Sequence, residues 1–303
     1  MKRWSLVALS VLLSAALAGG CSSLDSHQRE WIFQPSDRSW GNSADLASDM
    51  DEVWIDYTPQ RGGASVRLHG LWLGGKAPQS PATPVLLYLH GARYNVAGSA
   101  PRMQRMHELG FAVLAVDYRG FGKSTNELPS EASAAEDALA AWRWLATHHP
   151  NQQRYIFGHS LGGAIGIELA SRVNDESGTI VEGTFSSIAD VVSTFKWGWL
   201  PFRPLITQPF DSVARVKQIG SPLLVVHGSL DSLIRPELGR KLYEAAAAPK
   251  LFVLVQGGSH FTTNSVGHEQ YRDALAQLFQ LSPNPGQAVP APVQARAPAR
   301  LPG

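Results

Sequence analysis

Short apolar runs recur between residues 51 and 281, and longer stretches with helically spaced apolar positions lie between them. Pro84-Val85-Leu86-Leu87-Tyr88-Leu89, Phe111-Ala112-Val113-Leu114-Ala115-Val116, Arg154-Tyr155-Ile156-Phe157 and Thr179-Ile180-Val181-Glu182-Gly183 read as buried strands. So do Pro222-Leu223-Leu224-Val225-Val226-His227-Gly228 and Lys250-Leu251-Phe252-Val253-Leu254-Val255. Helices are expected around Arg102 to Leu109, from Gly163 to Ala170, from Glu237 to Ala247 and from His268 to Phe279. A further one follows Ser133-Ala134-Ala135-Glu136, which has the form of a capping box, and runs through Trp142, Trp144 and Leu145. Upstream, Val53-Trp54-Ile55-Asp56-Tyr57 and Ala64 to Leu73 flank the turn Pro59-Gln60-Arg61-Gly62-Gly63. In the second run, Val66 and Leu68 alternate with Ser65, Arg67 and His69, so the pair predicts an antiparallel hairpin at a sheet edge. The alternation that follows predicts an α/β fold: one doubly wound, mostly parallel sheet with helices on both faces.

Two segments break the pattern. Ile188 to Gly220 interrupts the alternation and carries Phe195-Lys196-Trp197-Gly198-Trp199-Leu200-Pro201-Phe202, an aromatic cluster broken by Gly and Pro. It reads as a short cap whose rings line an acyl pocket, touch membrane lipid or pack onto the core; periodicity does not choose among these. Pro283 to Gly303 is rich in Pro and Ala and is expected to be a disordered tail.

The N-terminus adds an address. Lys2-Arg3 precedes an apolar run from Leu6 to Leu17, which is short for a mature membrane span and reads as a secretory signal. It ends in Ala18-Gly19-Gly20-Cys21, and Cys21 is the single cysteine of the chain. This resembles a bacterial lipoprotein processing site with Cys21 acylated as the new N-terminus; a soluble secreted protein cleaved nearby is the alternative. Ser22 rather than aspartate follows the cysteine, which by resemblance to Gram-negative sorting rules implies the outer membrane, facing the periplasm. The expected organisation is a signal peptide over 1–20, a lipidated tether over 21–50 that docks in part through Trp31-Ile32-Phe33, an α/β domain over 51–281 with its cap at about 188–220, and the tail over 282–303.

Composition narrows the function. With 303 residues, 44% of them apolar and 17% charged, the chain can bury one substantial core. A net charge of +1 and the lack of a basic stripe give no reason to expect a nucleic-acid partner. No H-E-x-x-H or paired C-x-x-C spacing occurs, so the chemistry is expected to need neither metal nor cofactor.

The chemistry starts at Gly158-His159-Ser160-Leu161-Gly162, a G-x-S-x-G run between a strand pattern and a helix pattern. That context describes a nucleophile elbow, with Ser160 exposed beside a helix N-terminus and glycines where side chains would crowd the turn. A nucleophilic serine needs a base and a group to orient it, in the chain order Ser, acid, His. Asp231 follows one buried strand and His260 the next, so all three reach the carboxyl rim of the sheet. Asp190 and Asp211 are alternative acids, His268 is the alternative base, and Asp231 could instead cap the helix entered near Pro236. His90, His159 and His227 read as structural, and Asp117-Tyr118-Arg119-Gly120 as a loop-ordering segment. His90-Gly91-Ala92-Arg93 follows an earlier strand, so the backbone N–H groups of Ala92 and Leu161 are the expected oxyanion hole. Loss of one such donor costs about 3 kcal/mol of transition-state stabilisation elsewhere.

Together, His90-Gly91, Asp117-Tyr118-Arg119-Gly120-Phe121-Gly122-Lys123-Ser124, the elbow, His227-Gly228-Ser229-Leu230-Asp231 and Gly257-Gly258-Ser259-His260 resemble the α/β-hydrolase family. The branch is the small-cap one that includes membrane-associated depalmitoylases and bacterial serine hydrolases. The resemblance implies a catalytic Ser160, Asp231 and His260 and an oxyanion donor at Ala92. Relatives carry a more polar, Asn- or Gly-containing stretch where this chain has Ala92-Arg93-Tyr94. The expectation is a serine hydrolase acting on carboxylic esters or thioesters, palmitate esters among them, with a small-molecule or lipid substrate and the membrane as its partner. A peptidase or amidase on the same triad, or a non-catalytic envelope lipoprotein, is the alternative.

Overall fold

The computed structural model describes residues 22–38, 43–60, 62–74, 82–195, 198–247 and 249–281. The signal peptide, Cys21 and the Pro/Ala tail expected from the sequence lie outside the described residues, as do Lys196 and Trp197 of the aromatic cluster.

Eight strands form one sheet. They are β1 (Asp51–Tyr57), β2 (Val66–Leu73), β3 (Val85–Leu89), β4 (Ala112–Val116), β5 (Arg154–His159), β6 (Gly178–Glu182), β7 (Leu223–Gly228) and β8 (Lys250–Val255), in the order β1-β2-β4-β3-β5-β6-β7-β8. The β1–β2 and β2–β4 pairs are antiparallel and the rest parallel, so the edge hairpin and the mostly parallel sheet are both present. The chain is helical over α1 (residues 22–33). Further helices are α2 (Ser43–Ala47), α3 (Ala100–Glu108), α4 (Glu131–His148), α5 (Leu161–Ala170), α6 (Ile188–Ser193), α7 (Ser212–Val216), α8 (Pro236–Ala245), α9 (Thr263–Val266) and α10 (His268–Phe279).

The central strands bury both faces with period two. Val85, Leu87 and Leu89 join a core with α4, α5, α7 and α8, whereas Leu86 and Tyr88 join a second core with α3 and α10. Because every parallel strand runs the same way, their carboxyl ends share one edge, and the loops after β3, β5, β7 and β8 gather there.

Local expectations shift at two places. The α4 cap is Ser130 and not Ser133: the Ser130 hydroxyl accepts from the Ser133 N–H at 3.1 Å, while the Ser133 hydroxyl accepts from the Ser130 N–H at 2.8 Å. A serine in place of glutamate at the third helical position closes the box, which the Ser-x-x-Glu reading passed over. The second shift concerns the stretch before the domain. Ile32 and Phe33 are buried in the first core while Trp31 is 51% exposed, so of the three residues expected to dock it is Ile32 and Phe33 that enter the core.

Candidate active site

At the end of β5 the backbone must reverse into α5 within one residue. Ser160 makes that turn at φ 55° and ψ −122°, a left-handed conformation that a non-glycine residue holds only under constraint. The constraint is visible: its N–H donates to the Glu182 carbonyl at 2.9 Å, and its own carbonyl accepts from the Thr184 hydroxyl at 2.8 Å. A Cβ at Gly158 would run into the Gly162 carbonyl, and one at Gly162 into the Leu89 carbonyl, so the two glycines are required by close backbone approach.

Asp231 and His260 arrive on the loops after β7 and β8. His260 Nε2 lies 3.0 Å from Ser160 Oγ, and His260 Nδ1 lies 2.8 Å from Asp231 Oδ2. The second oxygen of Asp231 accepts from the Leu233 and Ile234 N–H groups at 3.0 and 2.8 Å, which points the carboxylate at the histidine. Burial pushes the Asp231 carboxyl up, but hydrogen bonds with His227 and His260, the charge of His260 and the Ile234 N–H outweigh it and hold it at about 2. Asp231 is therefore a carboxylate at neutral pH, able to fix the Nδ1–H tautomer of His260.

The alternatives lie elsewhere. Asp190 pairs with Ser186 and Lys241, Asp211 caps α7 through the Ala214 N–H, His268 opens α10, and α8 begins at Pro236 after Arg235.

The loop after β3 lies against Ser160: a Cβ on Gly91 would sit 3.1 Å from the Ser160 Cβ. No backbone acceptor among the described residues is paired with the N–H of Ala92 or of Leu161. Leu161 opens α5, where the first N–H groups have no helical partner. Beyond Ala92, Arg93 and Tyr94 both take positive φ, 67° and 58°. Residues 33–38 hold this turn from outside. The Arg93 N–H donates to the Phe33 carbonyl (3.0 Å), Arg93 Nε to the Gln34 side chain (2.7 Å), the Asn95 N–H to the Arg38 carbonyl (3.0 Å) and the Asn95 amide to the Asp37 carbonyl (2.8 Å). From below, Asp117 accepts from the Val96 N–H (2.7 Å) and the Tyr118 hydroxyl donates to the His90 carbonyl (3.1 Å).

Beneath the elbow lies a buried polar group that sequence reasoning missed. Glu182, wholly buried at the end of β6, receives Arg102 Nε at 2.9 Å, Arg102 Nη2 at 2.7 Å and the Tyr271 hydroxyl. Arg102 also reaches toward the Phe261 carbonyl at 3.5 Å, and His159 Nε2 is 3.0 Å from the His260 carbonyl, so both grip the histidine loop. Burial, with the nearby charges of Arg102 and His260, pushes the His159 imidazole well below its usual range; it stays neutral and donates through Nε2. His227 Nε2 likewise lies 2.8 Å from the Ile234 carbonyl and 3.4 Å from Asp231 Oδ2, bracing the acid loop. Sequence did offer a signal: Glu182 ends an otherwise apolar strand, and a carboxylate there must be paired.

The segment after α6 is different in kind. Phe195 and Trp199 of the cap are 47% and 75% exposed, so these two rings turn outward and do not pack the core. A separate cleft of about 260 Å³ between β1 and α4, lined by Ile55, Tyr57, Leu139, Trp144 and His148 among others, includes none of the triad. No group of three or more His, Cys, Asp or Glu side chains among the described residues is placed to hold a metal ion.

Residues 80–209 match the family described as serine aminopeptidase, S33. Over 281 residues the chain is 29% identical to uncharacterized protein Rv2307c of Mycobacterium tuberculosis, spanning 92% of this chain and 96% of that protein. It is 32% identical over 186 residues to lysophosphatidylserine lipase ABHD12 of Danio rerio, covering 55% of this chain and 48% of the lipase. Among solved structures, the esterase Pf2001 of Pyrococcus furiosus superposes with a TM-score of 0.62 at 20% identity, over 82% of this chain and 98% of the esterase.

Proposed function

The chain belongs to the α/β-hydrolases, and on that premise we propose that it is a serine hydrolase cleaving carboxylic esters or thioesters through an acyl-enzyme. The observation that carries the reading is the continuous line of hydrogen-bonding distances from Ser160 Oγ through His260 to Asp231, 3.0 and then 2.8 Å, at the tip of a left-handed elbow.

In the first half-reaction His260 Nε2 takes the Ser160 proton as Oγ attacks the acyl carbonyl. The oxyanion that forms accepts from the backbone N–H groups of Ala92 and Leu161. His260 then gives its proton to the departing alkoxide or thiolate, leaving Ser160 acylated. Water, deprotonated by the same imidazole, attacks the acyl carbon, and the acid leaves as Ser160 regains its proton. Asp231, a carboxylate throughout, holds the histidine tautomer and stabilises the imidazolium that forms twice per turnover.

The relatives' names, an esterase and a lysophospholipid lipase, favour an acyl ester of a lipid or small molecule as substrate. The family's peptidase description favours a second reading, amide hydrolysis by the same groups, which asks more of His260 because an amine must be protonated as it leaves. We place the protein in the bacterial envelope, acylated at Cys21 and facing the periplasm from the outer membrane.

Hydrolysis of p-nitrophenyl esters of increasing acyl length, beside matched anilides, tests this. The Ser160→Ala variant is expected to lose roughly 10⁶-fold in kcat, the size seen when another enzyme's serine nucleophile is removed. Full activity in Ser160→Ala would sink the assignment, and faster turnover of anilides than esters would move it to the peptidase reading.

A further inference from the structure

Scattered exposed apolar side chains need no explanation, but a connected group does. Trp31 of α1, Phe195 and Trp199 of the cap, Leu205, and Leu230 and Leu233 beside Asp231 are all exposed. They belong to segments in contact. The Trp31 ring meets Phe195 edge-on at 6.3 Å. The Gln28 side chain donates to the Leu205 carbonyl at 2.6 Å and accepts from the Thr207 N–H at 2.9 Å. Arg235, next to Leu233 and Ile234, reaches the Thr194 carbonyl at 3.3 Å. Arg203 and Arg235, in the same segments as Leu205 and Leu233, are exposed as well, Arg203 lying 3.7 Å from Asp190.

We propose that this rim docks onto a phospholipid surface, so that the site draws its acyl ester directly from a bilayer. The second clause rests on the serine-hydrolase reading; the docking itself does not. The occupant is argued from how the chain enters the fold. Cys21, read above as acylated once the signal peptide is removed, stands immediately before Ser22, the first described residue of α1. From there α1 carries the chain about 14 Å to Trp31 in the rim. The acyl anchor read at Cys21 is therefore separated from Trp31 by less than one short helix. The face has the chemistry of a monotopic surface: indole rings suited to the lipid–water boundary, flanked by guanidinium groups for anionic headgroups.

Both apolar cores are built from residues between Ile32 and Leu281, so a chain starting at Ser22 keeps the fold while lacking any acyl anchor. That protein is floated with vesicles of phosphatidylethanolamine and phosphatidylglycerol. It is expected to rise with the vesicles, whereas W199D combined with L205D should bind at least about tenfold more weakly. The double variant should hydrolyse a soluble short p-nitrophenyl ester at the parent rate, which certifies its fold, and should lose a matching factor only on a long-chain ester presented in vesicles. The proposal is overturned if the parent stays with the soluble fraction, if the double variant floats equally well, or if the parent forms a dimer that W199D disrupts in place of vesicle binding. Flotation without any hydrolysis, in parent and in Ser160→Ala alike, would leave docking standing and remove the serine-hydrolase reading.

Discussion

The floor of the site and its rim are built on opposite principles. Below Ser160 the groups are polar, buried and paired: Glu182 with Arg102 and Tyr271, His159 with the His260 carbonyl, Asp231 with two backbone N–H groups and two histidines. In the rim the groups are apolar and exposed. Buried polar atoms must be matched one to one, so the floor tolerates one geometry. Apolar exposed surface is non-directional, so the rim can meet many partners of one general kind. Chemistry needs the first property and recruitment of a greasy substrate the second.

The contrast can be broken most forcefully at Asp231. Asp231→Asn keeps the size but removes the charge and, with its oxygen held by the Leu233 and Ile234 N–H groups, turns an NH2 donor toward His260 Nδ1, and kcat on a soluble ester is expected to fall about 10⁴-fold. Its acid unfolding should change as well. The folded carboxyl sits at about 2, below its ordinary 3.8, so it stabilises the native state above pH 4 and that contribution is lost as pH falls from about 4 towards 2. Urea midpoints across that window should be flatter in the Asn variant; an unchanged slope would mean that the site's acid is less tightly held than its geometry implies.

A smaller but still large effect is expected at Arg102→Met, which strands the Glu182 charge. Loss of stability by about 3–5 kcal/mol should be read in chemical denaturation, and adding Glu182→Gln should recover much of it. Full stability in the single variant would erase the distinction between floor and rim.

The smallest effect sharpens the boundary between them. Gln34→Ala removes the 2.7 Å contact to Arg93 but leaves the backbone bonds of the same segment. A loss of about 1 kcal/mol, or roughly fivefold in kcat, is expected. KM should stay constant, because a donor in the proposed oxyanion hole serves the transition state more than the ground state. A change confined to KM would assign Gln34 to substrate binding.

The elbow and its partners were legible because their chemistry restricts both residue type and place: a glycine-flanked serine after one strand, an aspartate and a histidine after two later ones. The sheet was legible because buried strands are continuous apolar runs. The hold of residues 33–38 on the loop after β3 was not, since it acts mainly through backbone carbonyls, which every sequence offers. The Arg102–Glu182 pair was hidden by its separation of 80 residues, although an acidic end to an apolar strand hinted at a partner. The orientation of Phe195 and Trp199 was hidden for another reason, as a segment broken by Gly and Pro has no period from which to read a face.

Glu182 also decides how the molecule comes apart. Its side chain joins α3 to α10, and its carbonyl takes the N–H of Ser160. A fluctuation that freed the elbow alone would leave the Glu182 carbonyl without its Ser160 partner in a dry interior, so partial opening there is uphill. Amide exchange at the nucleophile should consequently follow the slowest, whole-molecule route, and heating should abolish activity and fold in the same transition.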